Sequence, residues 1–251
     1  MRAEWTKLRT LASTAWLLAA AVLLTVGVSA AVVAATHQSS RAGDPTKLAL
    51  VGIDLGQALV AVLAVLTISE EYATGMIVPT LTAMPRRRVV LASKAANLAC
   101  LNLATGILAV AGCLIVGRLM LTGAGFDAAH GYPLLSMTRG ATLRAATGSV
   151  LYLVLIALMA LGIATAIRDT AVSIGAMLAL LYLPPLLAQL LSEPLRRHIQ
   201  QIAPMTAGLA IQATTNLRSQ PIAPWTGLGV LAAWAVTLLA IGGALLRLRD
   251  A

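Results

Sequence analysis

Charged side chains are missing from six long stretches of this chain, and that absence constrains its fold more than any other feature. The charge-free runs cover Thr10 to Ser40, Leu55 to Ser69, Ala95 to Gly117, Ala145 to Ile167, Thr170 to Ser192 and Ser219 to Leu246. A helix needs about 20 apolar residues to cross a hydrocarbon core of about 30 Å. Five of the six runs reach that length unaided. The second reaches it when Asp54 is admitted and the span is extended back to about Leu48. Only 11% of the residues are charged and 59% are hydrophobic, whereas a soluble domain carries about 25% charged residues. A soluble globular enzyme and a disordered chain are both excluded. The runs are continuously apolar, without the polar alternation of a membrane barrel. The expected fold class is therefore an all-α membrane protein, a single domain over 1–251. Its six transmembrane helices are expected at about 12–35, 48–69, 94–118, 143–167, 170–191 and 225–247.

The remaining charges sit at the ends of these runs. A net charge of +9 invites a nucleic-acid reading, but the basic residues form short clusters at span ends, where they anchor helices among headgroups. No basic stripe interleaved with aromatics exists, so the partner is the lipid bilayer and no nucleic acid is expected. With an even number of spans the termini share a side. Placing them inside gives the cytoplasmic segments Arg2, Lys7, Arg9, Arg86, Arg87, Arg88, Lys94, Arg168, Arg247 and Arg249, ten basic residues against eight outside. The inside charges hug the span ends, where the positive-inside rule has force, so cytoplasmic termini in a plasma membrane are expected. The first apolar run is longer than a signal-peptide core and is read as a retained span. Before it, Trp5 and Leu8 share one face of Glu4 to Arg9, as in a short helix lying in the interface. Cys100 and Cys113 fall on one predicted helix, about 20 Å apart at 1.5 Å per residue, too far for a disulfide.

Between spans two and three, Glu70 and Glu71 are followed by a Thr74-Gly75 break, an amphipathic stretch to about Ala83, then Pro85 and three arginines. Acids suit the first turn of a helix and proline stops one, so a short helix at the cytoplasmic surface is expected there. Spans four and five are joined by Arg168-Asp169-Thr170, with Asp169 or Thr170 placed to cap the fifth helix. Pro184-Pro185 is expected to kink or break that helix toward its outer half. Between spans five and six, Leu195 to about Ile211 is expected to form one or two short helices dipping into the outer leaflet. Asp54 is the only acid inside a predicted span. Such residues are functional candidates because a carboxylate at mid-bilayer costs roughly 2.5–3.5 kcal/mol on insertion scales. Asp54, Gln57, Pro184 and Pro185 form the candidate substrate pathway. Gly52 and Gly56 make a GxxxG, which in so alanine-rich a chain carries no weight as a dimer motif. His37, His130 and His198 show no metal-ligand spacing, and no Gly-x-Ser-x-Gly is present. No GxxxxGK[ST] phosphate loop is present either, so the chain is not expected to bind ATP by that device.

The run Glu71-Tyr72-Ala73-Thr74-Gly75, followed by Leu81 and Pro85-Arg86-Arg87, resembles the loop between the second and third helices of ABC type-2 permeases. The opening Glu4-Trp5-Thr6-Lys7-Leu8-Arg9, Gly56-Gln57, Ala166-Ile167-Arg168 and the terminal Arg247-Leu248-Arg249-Asp250 resemble actinobacterial members. Such members commonly carry Thr, Ile and a basic residue after the glycine, where this chain has Met76-Ile77-Val78-Pro79. The resemblance implies a permease subunit of an exporter of hydrophobic or amphipathic substrates. It further implies pairing with a second permease copy and with two copies of a separately encoded ABC ATPase, which holds the ATP and Mg. This chain then has no cofactor, no metal and no catalytic residue of its own. Glu70, Glu71, Tyr72, Thr74, Gly75, Arg86 and Arg168 are implied to couple to that ATPase, with Glu71 and Tyr72 opening the coupling helix. The alternative class is a stand-alone ion-coupled carrier or an intramembrane enzyme. A carrier normally shows paired ionisable residues within its spans and an internal repeat, and one aspartate is neither.

Overall fold

The structure, a computed structural model, describes residues 12–35, 44–73, 87–123 and 140–248. Among them no strand occurs. The helices are α1 (Ala12–Ala35), α2 (Pro45–Ala49), α3 (Ile53–Ala73), α4 (Arg87–Gly123), α5 (Gly140–Ile167), α6 (Thr170–Ala188), α7 (Glu193–Ile202), α8 (Pro204–Leu209) and α9 (Pro224–Leu248). Short 3₁₀ turns lie at Ala210–Gln212 and Leu217–Ser219. Among the described residues, five stretches are long and apolar enough to cross a membrane: Trp16–Ala35, Val89–Leu121, Gly140–Ile167, Thr170–Ala188 and Pro224–Leu246. Large apolar side chains on their outer faces are bare, with Trp16 77%, Leu23 72% and Leu119 71% exposed. In water such a surface would drive association; in lipid it is the solvated face. The protein is an all-α, multi-pass membrane protein.

Helix α5 is the axis of the bundle. It is 67% buried over its most apolar window, against 22–33% for the other four, and it packs against α3, α4, α6 and α9. Its sequence explains the position, because small residues recur along it and let neighbouring backbones come close. At Gly162 an added Cβ would stand 2.6 Å from the Leu238 carbonyl carbon of α9, and at Gly242 it would stand 2.6 Å from Gly162 O. The α5–α9 crossing is a backbone-to-backbone contact on both sides.

Several boundaries differ from the charge-run reading. Helix α4 extends well beyond 94–118 in both directions, because Lys94 and Arg118 end the charge-free run without breaking a helix. The second span does not begin at Leu48. The chain turns at residues 50–52 between α2 and α3, where Gly52 is pressed against α1 and its N–H donates to Ser29 Oγ at 3.0 Å. Ser29 in turn donates to Cys113 Sγ of α4 at 3.3 Å. Gly56 lies one turn further on against Thr25, so the GxxxG pair packs within the chain. Both cysteines are free thiols. The proline pair does not break α6, which runs through Pro184 and Pro185 to Ala188 before turning at Gln189.

At the far end of α5, Arg168 takes a left-handed conformation (φ 66°) and its N–H donates to Ala164 O at 3.0 Å. Asp169 then caps α6, accepting from the Val172 N–H at 2.8 Å. The expected capping by Asp169 is what the structure shows. A β-carbon in this conformation costs roughly 1–2 kcal/mol, so the tight hairpin is held by its two capping bonds.

The α5–α9 contact yields a paired prediction. Gly162→Ala should lower stability by about 1–3 kcal/mol through overpacking. Gly229→Ala, where an added Cβ meets nothing within 4 Å, should be neutral or stabilising because alanine is the better helix former. Thermal unfolding midpoints of the two variants in one detergent check the contrast.

Candidate functional site

Three membrane helices and the α7–α8 segment converge near the start of α3. Within segment 193–223, helix α7 has no buried residue, whereas 203–213 reaches into the bundle. Gly208 of α8 sits against the ring of Tyr152, Gly148 against Ile211, and Gly227 against the Ala207 backbone. The Trp234 indole N–H donates to Ile202 O at 3.0 Å. Trp234 is ten residues inside α9, about 15 Å from its start. The expected short helices are present as α7, α8 and the 3₁₀ turn that follows. The break after α8 and its 3₁₀ turn are covered by protein, with Ala207, Gly208, Ile211 and Gln212 buried, the condition under which such backbone is tolerated at depth.

Asp44 ties this segment down. It caps α2, with Oδ1 accepting from the N–H groups of Thr46 (3.1 Å) and Lys47 (3.3 Å). Oδ1 also accepts from Thr214 Oγ1 at 2.6 Å, while Oδ2 accepts from the Thr214 and Thr215 N–H groups, the latter at 2.9 Å. Arg144, near the start of α5, donates to Ala213 O at 2.5 Å. Burial of the Asp44 carboxyl works to raise its pKa, but the hydrogen bonds from Thr214, Thr215 and Lys47 outweigh it, and the net shift is below the ordinary 3.8.

Beneath the clamp lies a buried polar cluster. Gln57 and Tyr152 are both fully buried, and the Tyr152 hydroxyl donates to Gln57 Oε1. Gln57 Nε2 donates to the backbone carbonyl of Asp54 at 3.0 Å, and the Tyr182 hydroxyl donates to the same carbonyl at 2.5 Å. Helices α3, α5 and α6 are thus tied together at one level. Beside the cluster is a cavity of about 330 Å³, with Lys47, Asp54, Gln200, Gln212 and Gln220 among its polar lining. Its size falls within the usual range of small-molecule sites, about 300–1,000 Å³. A carboxylate, an ammonium and primary amides facing one cavity suit recognition of a polar ligand.

Of the expected pathway residues, Asp54 and Gln57 come together here. Pro184 and Pro185 do not line the cavity; they lie half-buried just beyond Tyr182. Of the residues expected to couple to a partner, Glu70, Glu71 and Tyr72 lie at the other end of α3. That helix runs unbroken through Ala73, so Glu70, Glu71 and Tyr72 occupy its last turn and do not open a new helix. The helix continues past the end of the apolar run to include them. Thr74, Gly75 and Arg86, with the amphipathic stretch to Ala83, lie outside the described residues, as does the Glu4 to Arg9 segment. Arg168 is at the α5–α6 hairpin described above. Asp44, Lys47, Tyr152, Tyr182 and Gln212 were not singled out from sequence. A signal for Tyr152 and Tyr182 was present but unused: of the chain's four tyrosines two fall inside apolar runs, and a buried phenol needs a hydrogen-bond partner. Nothing in sequence pointed to Gln212. Among the described residues no three His, Cys, Asp or Glu side chains converge as metal ligands. No protein-family model matches the chain, and no curated protein matches it.

Two outcomes follow from the geometry. Tyr152→Phe leaves the buried Gln57 carbonyl unpaired and should cost about 1–3 kcal/mol, read as a lower unfolding midpoint. The Asp44 carboxyl has a lowered folded-state pKa, so its stabilisation is complete above 3.8 and is lost as pH falls through the lower folded value. The Thr214 and Thr215 amides should be protected from hydrogen exchange at pH 5–7 and lose protection only as the pH falls below 3.8. In Asp44→Asn, protection should be lower throughout and independent of pH.

Proposed function

We propose that the chain is the membrane-spanning permease subunit of an ATP-binding cassette exporter for hydrophobic or amphipathic substrates. In this proposal α3 is the sixth span. Its apolar part, Ile53–Ser69, is about 25 Å long and the whole helix about 31 Å, close to the hydrocarbon thickness. The resemblance of the Glu71-Tyr72-Ala73-Thr74-Gly75 segment to type-2 permeases supports it, as does the lack of a phosphate loop in the chain. The observation that carries it is the span of α3 itself. One continuous helix bears Asp54 and Gln57 beside the cavity at one end and Glu70 and Glu71 at the other. Asp54 and Glu71 are separated by about 25 Å. A push delivered at the acidic end therefore reaches the cavity through a rigid rod.

The acids sit where the helix dipole disfavours them, by about 0.3–1 kcal/mol each. A cationic groove on a partner would compensate that penalty. The partner in this proposal is a separately encoded ATPase, present in two copies with its own ATP and Mg. Two such sites are matched most simply by a two-fold permease homodimer. The assembly sits in the plasma membrane with both permease termini cytoplasmic. An ion-coupled carrier would rest on Asp54, the one acid among the described residues that line the cavity.

Glu71→Lys tests the proposal cleanly. Lysine at a helix C-terminus is favoured by the dipole, so the variant should insert and fold normally. Charge reversal at a docking surface costs several kcal/mol, so ATPase stimulation and transport should fall at least tenfold in membranes containing the partner. The same reversal at Glu193, on the opposite side, should be mild. Wild-type transport by Glu71→Lys, with normal capture of the ATPase, would show that the coupling surface lies elsewhere.

A further inference from the structure

The Asp54 residue does its structural work through its backbone. The carbonyl accepts from Gln57 and Tyr182, whereas the carboxylate has no hydrogen bond among the described residues and faces the cavity. Lys47, on the same cavity wall, is close enough to act on Asp54 electrostatically, yet the two do not form an ion pair. The same cavity wall holds an unmet donor. Gln212 lines the cavity, is 1% exposed, and its Nε2 has no hydrogen-bond partner. A buried amide left unpaired costs about 1–3 kcal/mol, and a ligand acceptor at this position would remove that penalty. The rest of the wall is apolar, formed by Met205, Leu209 and Ile222 among others.

We infer that this cavity binds a zwitterion carrying a primary ammonium and a phosphodiester, the chemistry of a phosphoethanolamine headgroup. The ammonium pairs with the free Asp54 carboxylate. The phosphodiester oxygens accept from the Lys47 ammonium and from Gln212 Nε2, which are charge-assisted bonds. Such a ligand satisfies two opposite charges that line one cavity without pairing, together with the unpaired amide. A purely anionic ligand would leave Asp54 repelled, and a quaternary ammonium would offer it no N–H. The ligand's glycerol portion lies against Met205, Leu209 and Ile222. The shared headgroup chemistry is found in an ethanolamine phospholipid and in free glycerophosphoethanolamine. The site does not rest on the exporter proposal, because binding needs neither a partner nor ATP.

The experiment uses the purified full chain without any ATPase. Native mass spectrometry counts retained phosphatidylethanolamine against phosphatidylglycerol, and calorimetry titrates soluble glycerophosphoethanolamine. Wild type should retain the ethanolamine lipid at least tenfold over the glycerol lipid, and the soluble headgroup should displace it. Binding of the soluble headgroup without lipid retention would still support the site and assign the free molecule as its ligand. Asp54→Asn should abolish the ethanolamine preference, and Gln212→Leu should weaken retention at least tenfold. Glu193→Gln, outside the cavity, should change nothing. Should Asp54→Asn prove unstable, Lys47→Gln on the exposed side of the cavity replaces it and should lower both affinities about tenfold. Equal retention of the two lipids with no binding of the soluble headgroup overturns the inference. So does unchanged binding in the folded Asp54 and Lys47 variants.

Discussion

Direct backbone contact around α5 is the constraint on which the bundle depends. Lipid tails are as apolar as leucine, so helices in a bilayer gain little by burying one another's side chains. They gain by coming close enough for dense dispersion contact. Gly162 and Gly242 allow that at the α5–α9 crossing, Gly227 allows it against Ala207, and Gly52 with Gly56 allows it against α1. Each is a place where the addition of one methyl group meets backbone or a packed side chain. The same closeness seats α8 on α5, with Gly208 directly against the Tyr152 ring.

Once the helices are that close, polar groups caught between them must be paired. The solutions are economical. One carbonyl, that of Asp54, receives both the Gln57 amide and the Tyr182 hydroxyl, and one carboxylate, Asp44, holds two turns of chain that are 170 residues apart. These bonds fix the heights of α3, α5 and α6 relative to one another and hold the chain that follows α8 against the bundle. The cavity is the space left where that pairing stops.

Much of the architecture was legible because a bilayer imposes a length. The long apolar runs became helices at the expected places, and the Asp169 cap and the short helices after α6 could be read from local chemistry. What failed was subtler. Charges at Lys94 and Arg118 mark where apolar composition ends, and a helix does not stop there unless something breaks it. The proline pair in α6 and the turn before Ile53 show the converse. Prolines near a helix end can be absorbed, while an ordinary Leu-Val-Gly stretch bends when tertiary contacts with Ser29 and Thr25 take over its backbone. The site was only partly legible. Asp54 stood out because a lone acid in an apolar run is conspicuous, but Gln212 belongs to a loop whose depth in the bundle is set by long-range contacts. No sequence period encodes those contacts. Glu71 was assigned to the wrong end of a helix for a related reason, since the acids and the apolar period before them fit either the close of one helix or the start of the next.

The arrangement at Asp54 separates two kinds of inheritance. Its main chain belongs to the scaffold, held by Gln57 and Tyr182 through an atom that every amino acid possesses. Its side chain belongs to the cavity and supports nothing else. A substitution there alters what the cavity meets without disturbing the register of α3, α5 and α6. Descendants of such a chain can therefore change the cavity's charge at this position in single steps, without passing through misfolded intermediates. Tyr152, whose hydroxyl and ring are both committed to packing partners, has no such freedom.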